Sequence, residues 1–128
     1  MSEAIRALAQ RFFDAVEAGD IEQVLACYAP DAVIWHNSDQ AEQSREENGA
    51  TLTAFARAIP QRAYANRRLH VFEGGFVQQH DLQGVRRDGA RVSLVACIVC
   101  RVADGKITRL DEYFDSAAVA AFIGTRGA

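Results

Sequence analysis

The sequence lacks the features that mark a membrane protein or a nucleic-acid-binding protein. Every apolar segment is shorter than the roughly 20 residues that cross a bilayer. The net charge is only −3, whereas binding to phosphate groups requires a clustered excess of basic residues. The first residues favour an amphipathic helix over the apolar stretch of a signal peptide. We therefore expect a cytoplasmic protein without a membrane or nucleic-acid partner.

Cysteine is scarce too, and its count is odd. Three thiols fit a reducing compartment better than they fit a disulfide framework. Cys97 and Cys100 have the C-x-x-C spacing of metal and redox sites, but they lie in a strand-like segment. An odd separation in a strand places the two thiols on opposite faces. We interpret both as small core residues.

Motifs for metals and cofactors are missing as well. The three histidines, His36, His70 and His80, show none of the short spacings that are typical of metal ligands. The sequence has no glycine-rich phosphate loop, dinucleotide fingerprint or serine nucleophile elbow. We therefore predict neither a metal nor a cofactor.

The first part of the chain favours helices. Apolar residues at helical spacing over residues 2–18 predict a helix that Gly19 ends in a left-handed conformation. Asp20 then caps a second helix, which ends before Pro30. A short strand over residues 32–36 follows.

The remainder favours strands after one more helix. A polar stretch over residues 37–47 precedes this third helix, which Asn48 caps and Pro60 ends. Turn signals then separate four strand-like segments over residues 64–72, 76–82, 91–102 and 106–114. Ser116 caps a short closing helix through Ile123. Helices followed by hairpin-linked strands predict one α+β domain, residues 1–128, with an antiparallel sheet.

The strand-like segment over residues 91–102 is apolar on both faces. Leu94 and Ile98 lie on one face, and Val95 and Val99 lie on the other. In a small domain, a sheet whose two faces both avoid water indicates a second subunit. We therefore expect a homodimer formed sheet against sheet.

The last strand carries the strongest functional candidate. Alternation places Leu110, Glu112 and Phe114 on one face and Ile107 on the opposite face. A carboxyl group between two large apolar side chains loses hydration, and this setting suits a general acid or base. The alternative is that Glu112 pairs with an arginine or lies at an open rim.

Several short motifs carry a resemblance that covers nearly the whole chain. They are Phe12-Phe13-Asp14-Ala15, Gly19-Asp20, Tyr28-Ala29-Pro30-Asp31-Ala32-Val33 and residues 105–115. With them the sequence resembles the superfamily of nuclear transport factor 2, ketosteroid isomerase and the SnoaL-like polyketide cyclases. The resemblance implies a cystatin-like roll, in which a cone-shaped, curved antiparallel sheet wraps around N-terminal helices. It also implies a deep pocket at the open end and frequent dimers.

His80, Asn37 and Asp39 complete the candidate catalytic group. His80 shares a face with Gln78, and imidazole titrates near neutral pH; the alternative is a structural histidine held by hydrogen bonds. Asn37 is able to orient a carbonyl or hydroxyl group. Asp39 follows the first strand and is placed to fold over the pocket mouth; the alternative is a solvated loop charge.

The walls of the pocket are predicted to be largely apolar. Trp35 shares a face with Asn37 and suits stacking on a flat ligand; the alternative is a core anchor. His36 faces the other side, so we expect these three residues not to enter one pocket together unless a bulge intervenes. The predicted substrate-binding residues are Trp35, Phe12, Phe55, Tyr64, Gln78, Leu94, Ile98, Leu110 and Phe114.

These residues favour an enzyme that binds a small, largely apolar molecule and transfers a proton without a cofactor. Isomerisation, dehydration, cyclisation and hydrolysis all fit an acid beside an imidazole. In this hypothesis Glu112 moves the proton, His80 assists or polarises the substrate, and Asn37 orients a polar atom. The alternative is a non-catalytic ligand-binding or dimerisation module of the same fold.

Overall fold

A six-stranded sheet with helices on one face makes up the protein in a computed structural model, which describes residues 2–119. In chain order the elements are α1 (Ser2–Ala18), α2 (Ile21–Cys27), β1 (Tyr28–His36), β2 (Glu42–Ser44), α3 (Arg45–Ala58), β3 (Gln61–Phe72), β4 (Gly75–Val85), β5 (Arg91–Ala103), β6 (Lys106–Phe114) and a 3₁₀ turn (Ser116–Ala118). None of the helices within these residues combines the length and apolar character that a membrane crossing requires.

The helix ends follow local capping chemistry. Gly19 adopts a left-handed conformation with φ of +75° after α1, as predicted. The Asp20 carboxylate accepts a hydrogen bond of 3.2 Å from the amide of Gln23 and begins α2. The predicted cap of α3 was wrong. Ser44 is the N-cap, because Ser44 and Glu47 form a reciprocal capping box that the sequence analysis did not use.

Asn48 does not cap α3 but connects this helix to the sheet through side-chain hydrogen bonds. It lies inside α3 and is buried. Its Oδ1 accepts a hydrogen bond of 2.8 Å from the Tyr28 hydroxyl, and its Nδ2 donates one of 3.1 Å to Gln43 Oε1. A buried polar network of this kind fixes the position of a helix because each unpaired group would cost free energy.

The sheet is mixed. Its strand order is β2-β1-β6-β5-β4-β3, and neighbouring strands are antiparallel except for β1 and β6, which are parallel. The predicted α+β class is confirmed, but the prediction of a wholly antiparallel sheet was wrong at this pair. A parallel pair requires a long crossover, and α3 with four strands separates β1 from β6 in the chain. The C-terminal ends of β1 and β6 therefore lie side by side.

The core lies between the helices and one face of the sheet, which we call the interior face. The main cluster includes Phe13, Ile34, Phe76 and Leu110, which are almost fully buried. A second, smaller cluster contains Ile59, Leu82 and Leu94, with Phe55, Tyr64 and Phe114 packed against it.

A bulge in β6 changes one predicted orientation. Ile107 pairs with Val102, whereas Arg109 pairs with Arg101, so Thr108 is an extra residue on β6. The bulge turns Ile107 towards the core, where it is fully buried. The prediction that Ile107 faces outwards was therefore wrong.

The opposite side of the sheet, which we call the outer face, carries exposed apolar residues. Val95 is 66% exposed and Tyr113 is 47% exposed. Cys97 and Cys100 lie on opposite faces, as alternation predicted. Cys100 is fully buried, but Cys97 is only half-buried on the outer face, so its interpretation as a core residue was wrong.

The cap of the closing element differs from the prediction, since its N-cap is Asp115 and not Ser116. Asp115 Oδ1 accepts a hydrogen bond of 3.0 Å from the amide of Ala117 and begins the 3₁₀ turn. The remainder of the closing helix predicted through Ile123 lies outside the described residues, which end at residue 119.

Replacing Tyr28 with phenylalanine tests the network that holds α3. The change leaves the buried Asn48 Oδ1 without its donor. We expect the free energy of unfolding, measured by chemical denaturation, to fall by about 1–3 kcal/mol. The control is Tyr113→Phe at an exposed position, where we expect a change within about 0.5 kcal/mol. Equal losses in both variants would contradict a structural role for the Tyr28 hydroxyl.

Candidate functional site

Polar side chains interrupt the apolar interior face along one row of the sheet. Strand pairing aligns His36, Glu112, Ile98, Gln78 and Leu69 across β1, β6, β5, β4 and β3. Residues that pair across adjacent strands direct their side chains to the same face. The row therefore brings a carboxylate, an imidazole and an amide to the concave side that the helices cover.

Glu112 and His36 form the central pair. The distance from His36 Nε2 to Glu112 Oε1 is 3.2 Å, and the two side chains are 21% and 15% exposed. Both groups are thus inside the domain yet remain accessible from outside. Glu112 occupies the interior position that the sequence predicted for it.

His36 is the site residue that the sequence analysis missed. It shares the interior face with Ile34, two positions earlier, which is almost fully buried. The sequence analysis instead assigned the pocket face of β1 to Trp35 and Asn37. The alternation of Ala32, Ile34 and His36 was a usable signal, because two of these three residues are typical of a buried face.

The pair shifts the titration of His36. Burial acts to lower the pKa of His36, but the hydrogen bond to Glu112 and the negative charges of Glu112 and Asp39 outweigh burial. The net result is a pKa above the ordinary value. The imidazolium form is therefore favoured beside the carboxylate.

His80 and Gln78 lie next to this pair, on the interior face of β4. Both are buried, and Gln78 Nε2 lies 2.9 Å from His80 Nδ1. The ring of His80 packs against Tyr64, at 4.4 Å between ring centroids, and against Phe13, at 5.6 Å. Burial lowers the pKa of His80 to about 4, so this histidine is neutral at pH 7.

The charge of Glu112 reaches the aromatic residues around His80. Burial, followed by the negative charge of Glu112, raises the pKa of Tyr64. The same charge acts to raise the pKa of His80, where it is outweighed by burial. Glu112, His80 and Tyr64 therefore face one interior region.

This region lies between the two apolar clusters. Ile98 and Leu110 belong to the main cluster. Leu94 belongs to the second cluster, and Phe114 packs against it. Phe55 and Tyr64 pack against both clusters. Phe12 is buried deeper in the main cluster. The predicted apolar wall residues, apart from Trp35, are thus on the interior side, and they surround the polar row.

Asn37 does not point a free amide into this region. Its Nδ2 donates a hydrogen bond of 2.8 Å to the carbonyl of Phe114, and its Oδ1 accepts one of 3.1 Å from the amide of Phe114. Its backbone amide donates to the carbonyl of Glu112 at 3.0 Å. The predicted orientation of a substrate atom by Asn37 is contradicted, because both ends of its amide are bound to the backbone of β6.

Trp35 and Asp39 also lie elsewhere than predicted. Trp35 is on the outer face, where its ring packs against Tyr113 at 5.3 Å between centroids, so its prediction as a pocket residue was wrong. Asp39 lies in the turn after β1 and is exposed. Its Oδ1 accepts a hydrogen bond of 3.0 Å from Ala41, so it stabilises the turn and influences His36 only through its charge.

Two surface grooves lie away from the polar row. One, of about 650 Å³, is between the start of α1 and the turns that follow β3 and β5. The other, of about 520 Å³, is formed by β3, β4 and β5 near Arg62 and Arg91. Neither is lined by Glu112, His36 or His80. The predicted hollow around Glu112 is therefore not one of these grooves.

Metal-binding groups do not converge in the described part of the chain. Among residues 2–119, no three histidine, cysteine or acidic side chains lie close enough together to hold an ion.

Glu112→Gln provides a direct test of the central pair. The change removes the charge and the acceptor that raise the pKa of His36, whereas burial remains. We expect the pKa of His36, measured by ¹⁵N NMR titration, to fall below the ordinary value of about 6.5. The control is Asp111→Asn, which removes an equal charge from the adjacent residue on the outer face. It should change the pKa of His36 much less.

The same pair makes a pH-dependent contribution to stability. Because the pKa of His36 is raised in the folded state, this contribution is present below the unfolded pKa and is lost as the pH rises through the folded pKa. The stability difference between wild type and Glu112→Gln should therefore shrink over that range. A pKa of His36 that is unchanged by Glu112→Gln would contradict the pairing.

Comparison with solved structures shows the fold shared by several bacterial proteins. A candidate polyketide cyclase from Xanthomonas campestris is 18% identical, with a TM-score of 0.85 over 95% of this chain and 98% of that one. A candidate hydroxylase from Streptomyces galilaeus, AclR, is 16% identical, with a TM-score of 0.81 over 97% and 98% of the two chains. A protein of ketosteroid isomerase-like fold from Catenulispora acidiphila, in complex with trimethylamine, is 12% identical. Its TM-score is 0.80 over 93% of each chain.

These identities show a common architecture and leave the reaction open. No relative was found among the curated proteins. The model of the SnoaL-like domain matches residues 9–110, which covers most of the chain and all of the elements from α2 to β5. The expected relationship is confirmed: this chain belongs to the SnoaL-like domain family.

Proposed function

We propose that the protein binds a small, largely apolar molecule on the interior face and catalyses proton transfer with Glu112 as the acid or base. The observation that carries the proposal is the pair of Glu112 and His36, 3.2 Å apart and partly accessible between two apolar clusters. Solved structures of similar fold support a ligand-binding role, since they include a candidate cyclase and a candidate hydroxylase.

The pair offers both halves of an acid–base reaction. The Glu112 carboxylate accepts a proton from a carbon or oxygen atom of the ligand, and the His36 imidazolium donates one to an oxygen atom where negative charge develops. The raised pKa of His36 favours the cation that this second step needs. Isomerisation, dehydration, cyclisation and hydrolysis can all use such a pair.

The surrounding side chains select an apolar ligand. Phe114 lies beside His36, with 6.3 Å between ring centroids, and Tyr64 and Phe55 extend from the other side of the interior. Few water molecules compete in such an environment, so a charge on Glu112 acts on a bound molecule more strongly than it would in bulk water.

A second candidate is a binding module without chemistry. The observation that favours it is that Glu112 already has a partner in His36, while His80 and Gln78 are fully enclosed by protein. Buried ion pairs also occur for structural reasons. In this case the same ligand would bind without being converted.

The experiment that tests the proposal compares Glu112→Gln with wild type. Native mass spectrometry of freshly purified protein identifies a retained ligand, and a panel of flat apolar ketones, alcohols, phenols and epoxides extends the search. Each compound is incubated with protein in D₂O and examined by mass spectrometry for conversion or deuterium uptake. We expect Glu112→Gln to lower the rate by about 10²–10⁴-fold and to keep ligand affinity, because it removes only the proton-transfer group.

Asp111→Asn is the matched control for this experiment and should retain the rate. Retained turnover in Glu112→Gln would remove Glu112 from the mechanism. A ligand that binds to wild type and undergoes neither conversion nor deuterium exchange would favour the binding module.

We also propose that the protein is a homodimer through the outer face. An apolar patch on this face contains Val95, Tyr113 and Trp35. Neighbouring apolar side chains at a protein surface favour a protein–protein interface. The cross-strand rows of the patch also carry charges, since Asp81 pairs with Val95, and Arg68 is aligned with Tyr113 through Gln79 and Cys97. A two-fold axis through the patch would let opposite charges on two copies meet.

Val95→Arg tests this arrangement. We expect wild type to have the mass of a dimer in light scattering and Val95→Arg to have the mass of a monomer, because a buried arginine without a partner is costly. Gln83→Arg, on the same face but at an exposed polar position, should remain dimeric. A monomeric wild type at micromolar concentration would contradict the proposal.

A further inference from the structure

Arginine is concentrated at one end of the sheet, in a chain whose net charge is −3. The end of α3 and the start of β3 (residues 57–63) meet the hairpin of β4 and β5 (residues 83–93) there. These two segments hold one acidic residue, Asp88, and five arginines, which are Arg57, Arg62, Arg86, Arg87 and Arg91. This end is therefore positively charged, whereas the remainder of the chain is acidic.

The positive charge of this end is not neutralised by neighbouring carboxylates. Asp88 is paired with Arg86 at 2.6 Å. Arg62 binds backbone carbonyls, since its Nη1 donates to Ile59 at 2.7 Å and its Nη2 donates to Glu17 at 3.0 Å. Such hydrogen bonds satisfy the donors of a guanidinium and leave its net charge in place.

The second of the two grooves, of about 520 Å³, opens at this end. Two cross-strand rows of the outer face line it, and they are Gln61–Val85–Arg91 and Ala63–Gln83–Ser93. Both rows lie on the outer face because Arg91 and Ser93 alternate in register with Val95 along β5. The groove is thus on the opposite side of the sheet from the pair of Glu112 and His36.

The lining combines hydrogen-bond donors with an apolar floor. Arg91 is exposed and forms no ion pair with another residue of the described range 2–119. Gln83 pairs directly with Ser93, so that an amide, a hydroxyl and a guanidinium meet within two residues of one another. Val85 and Ala63 fill the space between these donors and β3.

The acid that follows next along the outer face of β4 is already bound. Asp81 lies two residues before Gln83, and its Oδ2 accepts a hydrogen bond of 2.8 Å from Asn66 Nδ2. Within the described residues, the lining of the groove itself contains no acid. An anion in the groove would therefore meet donors without a competing carboxylate.

We propose that this groove binds the carboxylate group of a small organic acid with an apolar body, and that Arg91, Gln83 and Ser93 hold the carboxylate. A carboxylate fits the guanidinium fork with two parallel hydrogen bonds, and bonds between ionised partners are stronger than those between neutral groups. The apolar body would lie on Val85 and Ala63. The site is independent of the proposed function, because neither Glu112 nor His36 contributes to it.

The charge and shape of the groove select a carboxylate over a neutral analogue. Arg91 supplies the one guanidinium that lines the groove from the outer face, and it matches the single charge of a carboxylate. A carboxamide of the same shape has only one oxygen acceptor, and its NH₂ group would face the donors of Arg91 and Gln83. A preference for the acid over the amide is the measurable consequence.

The experiment uses the full-length protein at pH 7, with 2-naphthoate and 2-naphthamide as probes. In ¹H–¹⁵N NMR titrations we expect 2-naphthoate to move the backbone resonances of Gln83 and Ser93 and the Nε–H resonance of Arg91. Its affinity should exceed that of 2-naphthamide by about tenfold or more, because a hydrogen bond between charged groups replaces a neutral one. Raising NaCl to about 1 M, where the Debye length is about 3 Å, should weaken the binding of 2-naphthoate and not that of 2-naphthamide.

Two variants and a matched control assign the effect to the groove. Arg91→Gln should remove the preference for 2-naphthoate, and Ser93→Glu should prevent its binding by placing a negative charge beside the carboxylate. Arg101→Gln is the control, because Arg101 is also exposed and lies at the other end of β5. It removes an equal charge and should keep the preference.

Several results would overturn the proposal. They are equal affinities for the two probes, no binding up to the solubility limit, or movement of the His36 and Glu112 resonances in place of those of the groove. Equal effects of Arg91→Gln and Arg101→Gln would show that only the overall charge matters. Inorganic phosphate that binds to the same resonances more tightly than 2-naphthoate would contradict the assignment to a carboxylate. The titrations of wild type need no variant to fold.

Discussion

The parallel pairing of β1 with β6 is the constraint on which the candidate site depends. It aligns His36 with Glu112 in one register, so that an imidazole and a carboxylate meet on the concave side of the sheet. Asn37 secures this register at the end of β1, because it binds the backbone of Phe114 with both ends of its amide and that of Glu112 with its own backbone amide. A shift by one residue would turn every side chain of β1 to the other face.

The interior that results is polar along one line and apolar on both sides of it. His36 and Glu112 satisfy one another, and Gln78 fixes the ring of His80. The Glu112 carboxylate acts on both histidines, but their pKa values shift in opposite directions. The pKa of His36 rises through its contact with Glu112, and that of His80 falls because burial dominates. Environments that push two titratable groups apart in this way allow one to act as an acid and the other to remain a neutral donor.

Local patterns were sufficient to predict most of the fold. The apolar spacing of α1, the glycine at its end and the turns between the later strands are all encoded within a few residues. The parallel register of β1 with β6 is a long-range property, and neighbouring residues along the chain carry little information about it. For this reason Glu112 was placed correctly from its own strand, whereas Trp35, Asn37 and His36 were assigned to the wrong faces of β1. Ser44 was missed as a helix cap because the polar segment before α3 was treated as a loop.

A crystal structure is the most direct test of the central claim, which is that Glu112 faces the interior and is paired with His36. The account predicts the His36 Nε2 atom within hydrogen-bonding distance of the Glu112 carboxylate, with both side chains directed towards the helices. A Glu112 carboxylate in bulk water, or bound to an arginine of the outer face, would contradict it.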